Sequence, residues 1–185
     1  EIPERLGAFC GPERIFLNSA VARVAHDRGR LLAVEMRDGR SVEVGRGQVV
    51  STLPIGALIG GMEPRAPDRV LRTAAALQFR HMALAVLFVD RPSFTKNATI
   101  YIPDPDLPFT RIYEPKNRSA AMSPPDKTCL VFEIPCQKTD AFWTMGEKEM
   151  LDLVRTRVIR KKWLKEEEIL DGLVYRFECA YPILE

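Results

Sequence analysis

Residues 15–54 read IFLNSAVARVAHDRGRLLAVEMRDGRSVEVGRGQVVSTLP, and they contain three short apolar runs that are separated by two turns. The turns are Asp27-Arg28-Gly29-Arg30 and Arg37-Asp38-Gly39-Arg40, and each places a glycine where a tight hairpin needs a positive φ. This pattern predicts a three-stranded antiparallel meander. In the second run, the alternation over residues 34–37 (Val-Glu-Met-Arg) predicts that valine and methionine face inward while the charged residues face outward.

The rest of the chain adds helices and longer strands. Apolar residues at helical spacing predict an amphipathic helix over residues 68–77 and a longer one over residues 146–163. The continuous apolar run of residues 81–90 predicts a strand that is covered on both faces. Further strands are expected at residues 97–102, 109–114, 127–135 and 169–182. Because the strands come in a run, we predict an α+β fold: a mainly antiparallel or mixed sheet with helices packed on one face, plus the small meander.

The composition is typical of a globular protein and argues against several classes. The chain has 185 residues, of which 46% are hydrophobic and 28% are charged, enough for one domain or for one domain with a small satellite. A net charge of +2 is too weak to indicate nucleic-acid binding. The longest apolar run, residues 82–89, is too short to cross a bilayer, so no transmembrane segment is predicted.

Few side chains suggest chemistry of their own. The cysteines are Cys10, Cys129, Cys136 and Cys179. Their spacing fits no zinc motif. The apolar, strand-like surroundings of Cys129 and Cys136 favour buried free thiols in a reducing cytoplasm, with a disulfide or a nucleophile as alternatives. His26 is expected in an exposed turn and His81 in the core or at a sheet edge. Asp104 and Asp106 lie among prolines and predict a turn, with a cation site as the alternative.

The ordered pattern of the meander carries a family resemblance. Val21 lies in the first run, Asp38-Gly39 in the second turn, and Val49-Val50-Ser51-Thr52-Leu53-Pro54 forms the exit. This order resembles the meander and exit of amine-oxidase-type FAD-dependent oxidoreductases, a clan with protoporphyrinogen oxidase-like, phytoene desaturase-like and UDP-galactopyranose mutase-like members. The resemblance implies that the backbone of Val21 lies against the FAD adenine. It also implies that Pro54 ends the cofactor-binding segment.

The second half of the chain extends this resemblance over nearly all of residues 15–182. Residues 101–117, YIPDPDLPFTRIYEPKN, are similar to a segment of protoporphyrinogen oxidase-like and mutase-like members. The resemblance implies that residues 1–54 are part of the FAD-binding domain and that residues 55–185 are the substrate-binding domain. The family's Gly-x-Gly-x-x-Gly phosphate loop is missing here. We therefore expect FAD in the full-length protein and none in this piece alone.

Two residues on one predicted strand are the first candidates for substrate binding. Arg111 and Tyr113 alternate, so they face the same side of the sheet. On a cavity wall, Arg111 would clamp an anionic group and Tyr113 would stack on it. The alternative role for Arg111 is an ion pair with Glu114 or Glu133.

Other candidates keep two interpretations. Tyr101 and Phe109 either line the same cavity or belong to the core. The basic residues at the end of the second helix favour a solvated face, with an anion-binding or nucleic-acid patch as the alternative. These residues are Arg155, Arg157, Arg160, Lys161 and Lys162.

The leading hypothesis is the substrate domain of a FAD-dependent oxidoreductase. The chain begins with glutamate, not methionine, and is expected to be an excised piece that is inactive in isolation. Its expected partners are a small-molecule substrate and the remainder of its own chain. The alternative is a non-enzymatic α+β module that binds a ligand or a partner over residues 82–89.

Overall fold

The structure, a computed structural model, describes residues 2–183. The chain divides into two compact units, unit 1 (Glu1–Leu77) and unit 2 (Gln78–Glu185). The helices of unit 1 are α1 (Ile2–Cys10), α2 (Ile55–Gly60) and α3 (Asp68–Ala76), with a 3₁₀ helix at Pro12–Arg14. Its strands are β1 (Val21–Asp27), β2 (Arg30–Met36), β3 (Ser41–Glu43) and β4 (Met62–Glu63). The predicted change of domain after Pro54 stays a prediction.

Unit 1 contains the predicted meander. Its sheet has the order β3-β2-β1-β4, and the first three strands are antiparallel. Gly29 and Gly39 adopt φ values of 80° and 87°, as the turn chemistry requires. The sequence did not predict β4, which pairs parallel with β1, because its two residues leave no hydrophobic pattern.

Unit 1 buries few side chains. The buried hydrophobic residues described there are Val24, Ala33 and Ala66. Residues 34–36 are all half-buried, so the predicted alternation of an inward and an outward face is wrong for this strand. The reason is that neither face of β2 packs against an extensive core.

Unit 2 is built on a five-stranded antiparallel sheet with the order β6-β7-β8-β5-β9. Its strands are β5 (Phe79–Val89), β6 (Thr99–Tyr101), β7 (Arg111–Tyr113), β8 (Thr128–Cys136) and β9 (Ile169–Pro182). Its helices are α4 (Ala141–Thr144) and α5 (Glu147–Arg160), with 3₁₀ turns at Pro115–Asn117, Ala120–Met122 and Glu166–Glu168. Together the two units confirm the predicted α+β class.

The central strand β5 has two different faces. Ala83, Ala85 and Leu87 are fully buried in the hydrophobic core that also contains the apolar stripe of α5. On the other face, burial is incomplete: Met82 and Val86 are buried, but Leu84 is half-buried and Phe88 is exposed. The predicted covering is therefore complete on one face only. We call the partly uncovered side of this sheet the open face.

Helix α5 follows its predicted pattern but ends earlier than expected. Met150, Val154 and Val158 are buried, which confirms the apolar stripe. The chain turns out of the helix because Lys162 adopts a left-handed φ of 58°. Trp163 then packs against the core, and its backbone N–H donates to the Val158 carbonyl at 3.0 Å.

Gly172 on β9 occupies a position with no room for a side chain. A Cβ there would lie 2.6 Å from the Val86 carbonyl oxygen and 2.8 Å from Leu151 Cδ2. Gly172→Ala is expected to destabilise unit 2 by about 1–3 kcal/mol, since the backbone must shift. Tryptophan fluorescence in urea measures this loss. The control is Gly146→Ala, where an added Cβ meets nothing within 4 Å and a loss below about 1 kcal/mol is expected. Equal losses in the two variants would contradict the packing argument.

Two kinds of feature are absent from the part of the chain that the structure describes. Over residues 2–183, no helix is long and apolar enough to cross a membrane. Within the same residues, no group of three or more histidine, cysteine, aspartate or glutamate side chains is arranged to hold a metal ion.

Candidate substrate face

The open face of unit 2 presents a row of side chains that crosses all five strands. Strand pairing aligns Tyr101 with Arg111, Arg111 with Glu133, Glu133 with Leu84, and Leu84 with Tyr175. Side chains directly opposite one another in an antiparallel sheet project to the same side. The structure thus brings the predicted residues Tyr101 and Arg111 together, and Tyr113 lies two residues further along the same strand.

Two grooves lie on the open face. Groove 1 has a volume of about 420 Å³, and its lining includes Arg80, Met82, Tyr101, Arg111, Glu133 and Tyr181. Groove 2 has a volume of about 680 Å³, and its lining includes Leu84, Arg111, Tyr113, Arg118, Glu133 and Tyr175. Arg111 and Glu133 line both grooves, so this pair forms the ridge between them.

Arg111 is held by its cross-strand neighbour. Its Nη2 atom donates to Glu133 Oε1, which identifies Glu133 rather than Glu114 as the partner among the two predicted alternatives. The carboxylate of Glu133 raises the pKa of Arg111. The guanidinium also lies over the ring of Tyr101, 5.9 Å from its centroid, and 3.5 Å from the hydroxyl of Tyr181.

Tyrosines flank the ridge on both sides. Tyr113 contacts a second guanidinium, that of Arg118, at 6.0 Å from the ring centroid. Burial, and to a lesser degree the charge of Glu133, raises the pKa of Tyr113. Tyr101 is 72% exposed and therefore accessible to a ligand. Phe109 is fully buried and packs edge-on against Phe132 at 4.9 Å, so its role is in the core.

A buried polar clip, which sequence reasoning did not predict, supports the loop beside groove 2. The Glu114 carboxylate is fully buried and accepts hydrogen bonds from the backbone N–H groups of Phe94 and Thr95 at 3.0 and 2.9 Å. It also accepts from Thr128 Oγ1 at 2.7 Å and from Asn117 Nδ2 at 3.2 Å. These contacts satisfy the carboxylate, and among residues 2–183 no cationic side chain pairs with it.

Lys116 forms the second half of this clip. Its ammonium nitrogen lies 2.7–2.9 Å from four backbone carbonyl oxygens, those of Pro92, Pro124, Pro125 and Lys127, which share its three hydrogens. The clip therefore fixes the loop that carries Arg118. Its Glu-Pro-Lys-Asn sequence, residues 114–117, is part of the segment that carries the family resemblance, and these contacts give it a structural role.

The two histidines have structural roles. His26 was predicted in an exposed turn, but it is half-buried in β1, and its Nε2 bonds to the Pro64 carbonyl at 2.8 Å. The prediction is wrong because the strand continues to Asp27 before the turn begins. His81 is buried, and its Nδ1 accepts the backbone N–H of Cys179 at 3.1 Å. This contact confirms a core or edge histidine.

The loop aspartates and the four cysteines also have structural explanations. Asp104 accepts the Asp106 backbone N–H at 3.0 Å and pairs with Lys161 at 2.6 Å, which confirms the predicted turn. The Lys161 ammonium lowers the pKa of Asp104. All four cysteines are free: Cys136 is buried, Cys129 and Cys179 are half-buried, and Cys10 is exposed. The prediction of a buried thiol is thus confirmed for Cys136, whereas Cys129 is buried only in part.

The predicted cofactor residues lie in unit 1. Val21 begins β1 and pairs with Met36, and its side chain is 39% exposed. Pro54 is exposed and precedes the first turn of α2. Both positions are accessible, and their contact with FAD stays a prediction.

The glycines and the starts of helices α2 and α3 in unit 1 lack the pattern that binds the pyrophosphate of FAD. That group needs backbone N–H groups at a helix N-terminus behind a glycine-rich turn. Gly45 lies in a turn after β3, and Gly60 and Gly61 lie at the end of α2. The helices α2 and α3 begin after Pro54 and Pro67 instead. These glycines and helix starts therefore do not combine into a pyrophosphate site.

Comparison with known proteins identifies the family. The family model described as UDP-galactopyranose mutase matches residues 68–170, more than half of the chain. The chain belongs to the UDP-galactopyranose mutase family. The matched residues include the open face from β5 to the start of β9. A search of curated protein sequences finds no match.

Solved structures show the same fold for this family member. A reduced UDP-galactopyranose mutase matches with a TM-score of 0.76 at 16% identity, over 97% of this chain and 38% of that chain. Wild-type putrescine oxidase bound to putrescine matches with a TM-score of 0.67 at 16% identity, over 94% of this chain and 36% of that chain. A protein from Exiguobacterium sp. assigned as a protoporphyrinogen oxidase matches with a TM-score of 0.68 at 16% identity, over 99% of this chain and 39% of that chain.

These matches confirm the predicted relationship to FAD-dependent, amine-oxidase-like oxidoreductases. The chain of this UDP-galactopyranose mutase family member spans less than two fifths of the length of these three solved relatives. The same fold thus occurs within much longer flavoenzyme chains.

Proposed function

We propose that this chain supplies the substrate-binding wall of a FAD-dependent enzyme and that the open face of unit 2 contacts the substrate. The observation that carries the proposal is the ridge of Arg111 and Glu133 between two aromatic-lined grooves. Membership of the UDP-galactopyranose mutase family supports a nucleotide sugar as the substrate.

The charges of the grooves favour an anionic substrate. In the described residues, groove 1 combines Arg80 and Arg111 with one carboxylate, that of Glu133. Groove 2 combines Arg111 and Arg118 with the same carboxylate. Each groove therefore carries a net charge of +1 from its ionisable side chains other than tyrosine. Guanidinium groups are well suited to bind phosphate oxygens, and the flanking tyrosines provide flat apolar surfaces for rings.

The cofactor is proposed to be held largely by other segments of the complete protein. The described residues offer no glycine-rich helix N-terminus for a pyrophosphate, which supports weak or no FAD binding by this chain alone. Unit 1 also exposes many large apolar side chains, including Phe9, Phe16, Leu17 and Val50. Their exposure is consistent with covering by a further protein segment. Val21 and Pro54 would then contribute to the FAD site, and the free thiols support a cytoplasmic location.

The test uses the protein expressed from its complete coding sequence and loaded with FAD. Arg111→Met is expected to raise the dissociation constant for UDP-galactopyranose about 10- to 100-fold, because one charge-assisted hydrogen bond is lost. Isothermal titration calorimetry measures the constant. Arg111→Lys, which keeps the charge without the planar fork, is expected to give an intermediate increase.

The matched control is Arg91→Met. Arg91 also pairs with a glutamate, Glu168, at 3.8 Å, and its side chain is 35% exposed against 27% for Arg111. It lines neither groove, so affinity should stay within about twofold. Equal affinity in the Arg111 variants and the wild type would contradict the proposed site. Failure of the complete protein to retain any flavin would instead favour the non-enzymatic binding module.

A further inference from the structure

We infer that Glu133 limits the affinity of the open face for anions, because its carboxylate competes with the ligand for Arg111. This inference rests on the proposed function in taking Arg111 as an anion-binding group. In this inference, Arg111 contacts the anion, and Glu133 determines specificity by setting how strongly Arg111 can bind it.

The position of Glu133 makes this competition unavoidable. Glu133 lies on β8 directly opposite Arg111 on β7, and Leu84 lies opposite it on β5. Its side chain is 11% exposed, and it lines both grooves. Strand pairing fixes the backbones of Glu133 and Arg111 opposite each other, and the low exposure of the Glu133 side chain keeps its carboxylate beside the guanidinium. An anion that approaches Arg111 from either groove therefore meets Glu133 as well.

The pairing leaves Arg111 incompletely satisfied. Nη2 carries the contacts with Glu133 and Tyr181. The Nε atom is buried and, within residues 2–183, has no hydrogen-bond partner. Arg111 thus lacks the two parallel bonds that a guanidinium makes with a well-oriented carboxylate or phosphate. Because this Nε is closed to solvent, a ligand oxyanion can reach only the exposed part of the Arg111 side chain, 27% of its surface, where the negative charge of Glu133 opposes it.

Glu133 is the one carboxylate in the lining of the two grooves, as far as the described residues go. Arg80 and Arg118 lie beyond the ridge on the two sides, and both are exposed. Removal of the Glu133 charge would raise the net charge of each groove from +1 to +2. The ligand class that gains most is one with clustered oxyanions, such as a diphosphate, because it can bind Arg111 and a second guanidinium together.

The experiment measures binding of inorganic pyrophosphate to the protein expressed from its complete coding sequence. Isothermal titration calorimetry of the wild type and of Glu133→Gln gives the two dissociation constants at the same salt concentration. We expect Glu133→Gln to bind pyrophosphate about tenfold more tightly. The double variant Arg111→Met/Glu133→Gln should lose this gain, which tests whether Arg111 is the group that is released.

The matched control is Glu168→Gln. Glu168 is also a partly buried glutamate paired with an arginine, Arg91, but it lines neither groove. The affinity of the Glu168→Gln variant for pyrophosphate should equal that of the wild type. If Glu133→Gln lowers the thermal stability too far, Glu133→Asp withdraws the carboxylate by one methylene, and a smaller gain of the same sign is expected.

Two results would overturn the inference. Weaker pyrophosphate binding in Glu133→Gln would mean that Glu133 holds Arg111 in place for the ligand, and unchanged binding would mean that its charge does not oppose the ligand. Binding that is absent in every variant would mean that Arg111 is not an anion-binding group on this face. The proposed function is tested separately with UDP-galactopyranose and Arg111→Met, so the first result leaves it standing.

Discussion

Replacement of Phe132 by alanine is expected to lower the free energy of unfolding of unit 2 by about 3–5 kcal/mol. Phe132 is fully buried at the centre of β8, and its ring packs edge-on against Phe109 at 4.9 Å. The substitution removes the ring and leaves a cavity between rigid strands that cannot close. Urea unfolding followed by tryptophan fluorescence measures the loss, because both tryptophans, Trp143 and Trp163, lie in unit 2.

The matched control for this prediction is Phe177→Ala on the same sheet. Phe177 lies on β9 opposite Met82, which lines groove 1, and its side chain is 50% exposed. Because the residue is half in solvent already, we expect a loss below about 1.5 kcal/mol. Similar losses for the two variants would mean that the two faces of the sheet are equally covered, against the description of an open face.

The second large effect is expected from Glu114→Ala. The buried carboxylate accepts hydrogen bonds from two backbone N–H groups, a hydroxyl and an amide. Its removal leaves the buried Thr128 hydroxyl and the half-buried backbone N–H groups of Phe94 and Thr95 without this acceptor. An unsatisfied buried donor costs about 1–3 kcal/mol, so a total loss of about 3 kcal/mol is expected. Glu114→Gln keeps one acceptor oxygen and should lose less. The same fluorescence measurement in urea applies.

The control for Glu114 is Glu167→Ala. Glu167 is an exposed glutamate whose carboxylate is 4.0 Å from Lys165, and a change within about 0.5 kcal/mol is expected. A loss below about 1 kcal/mol for Glu114→Ala would show that the clip does not stabilise the loop, because water would then replace the carboxylate without penalty.

Much of the fold follows from local sequence signals. Gly29 and Gly39 mark the turns of the meander because only a glycine adopts their backbone conformation without strain. The apolar stripe of α5 likewise needs only the spacing of Met150, Val154 and Val158. The faces of β5 could not be distinguished in the same way, because a continuous apolar run has no period that separates a covered from an open side.

The candidate site was predictable only where a local sequence signal determines it. Alternation on one strand places Arg111 and Tyr113 on one face, but the choice between Glu114 and Glu133 as the partner depends on strand register. For Phe109, the sequence leaves the cavity and the core as alternatives, and the structure confirms the core. The strand begins at Arg111, so Phe109 precedes it and does not share its alternation. The Glu114–Lys116 clip joins segments up to 24 residues apart, so no local pattern indicates it.

A crystal structure of the complete, FAD-loaded protein with UDP-galactopyranose bound tests the central claim most directly. We predict that the nucleotide sugar occupies the grooves of the open face and that its diphosphate lies within hydrogen-bond distance of Arg111. A nucleotide sugar bound elsewhere, with both grooves filled by another segment of the protein, would contradict the assignment of this face as the substrate-binding wall.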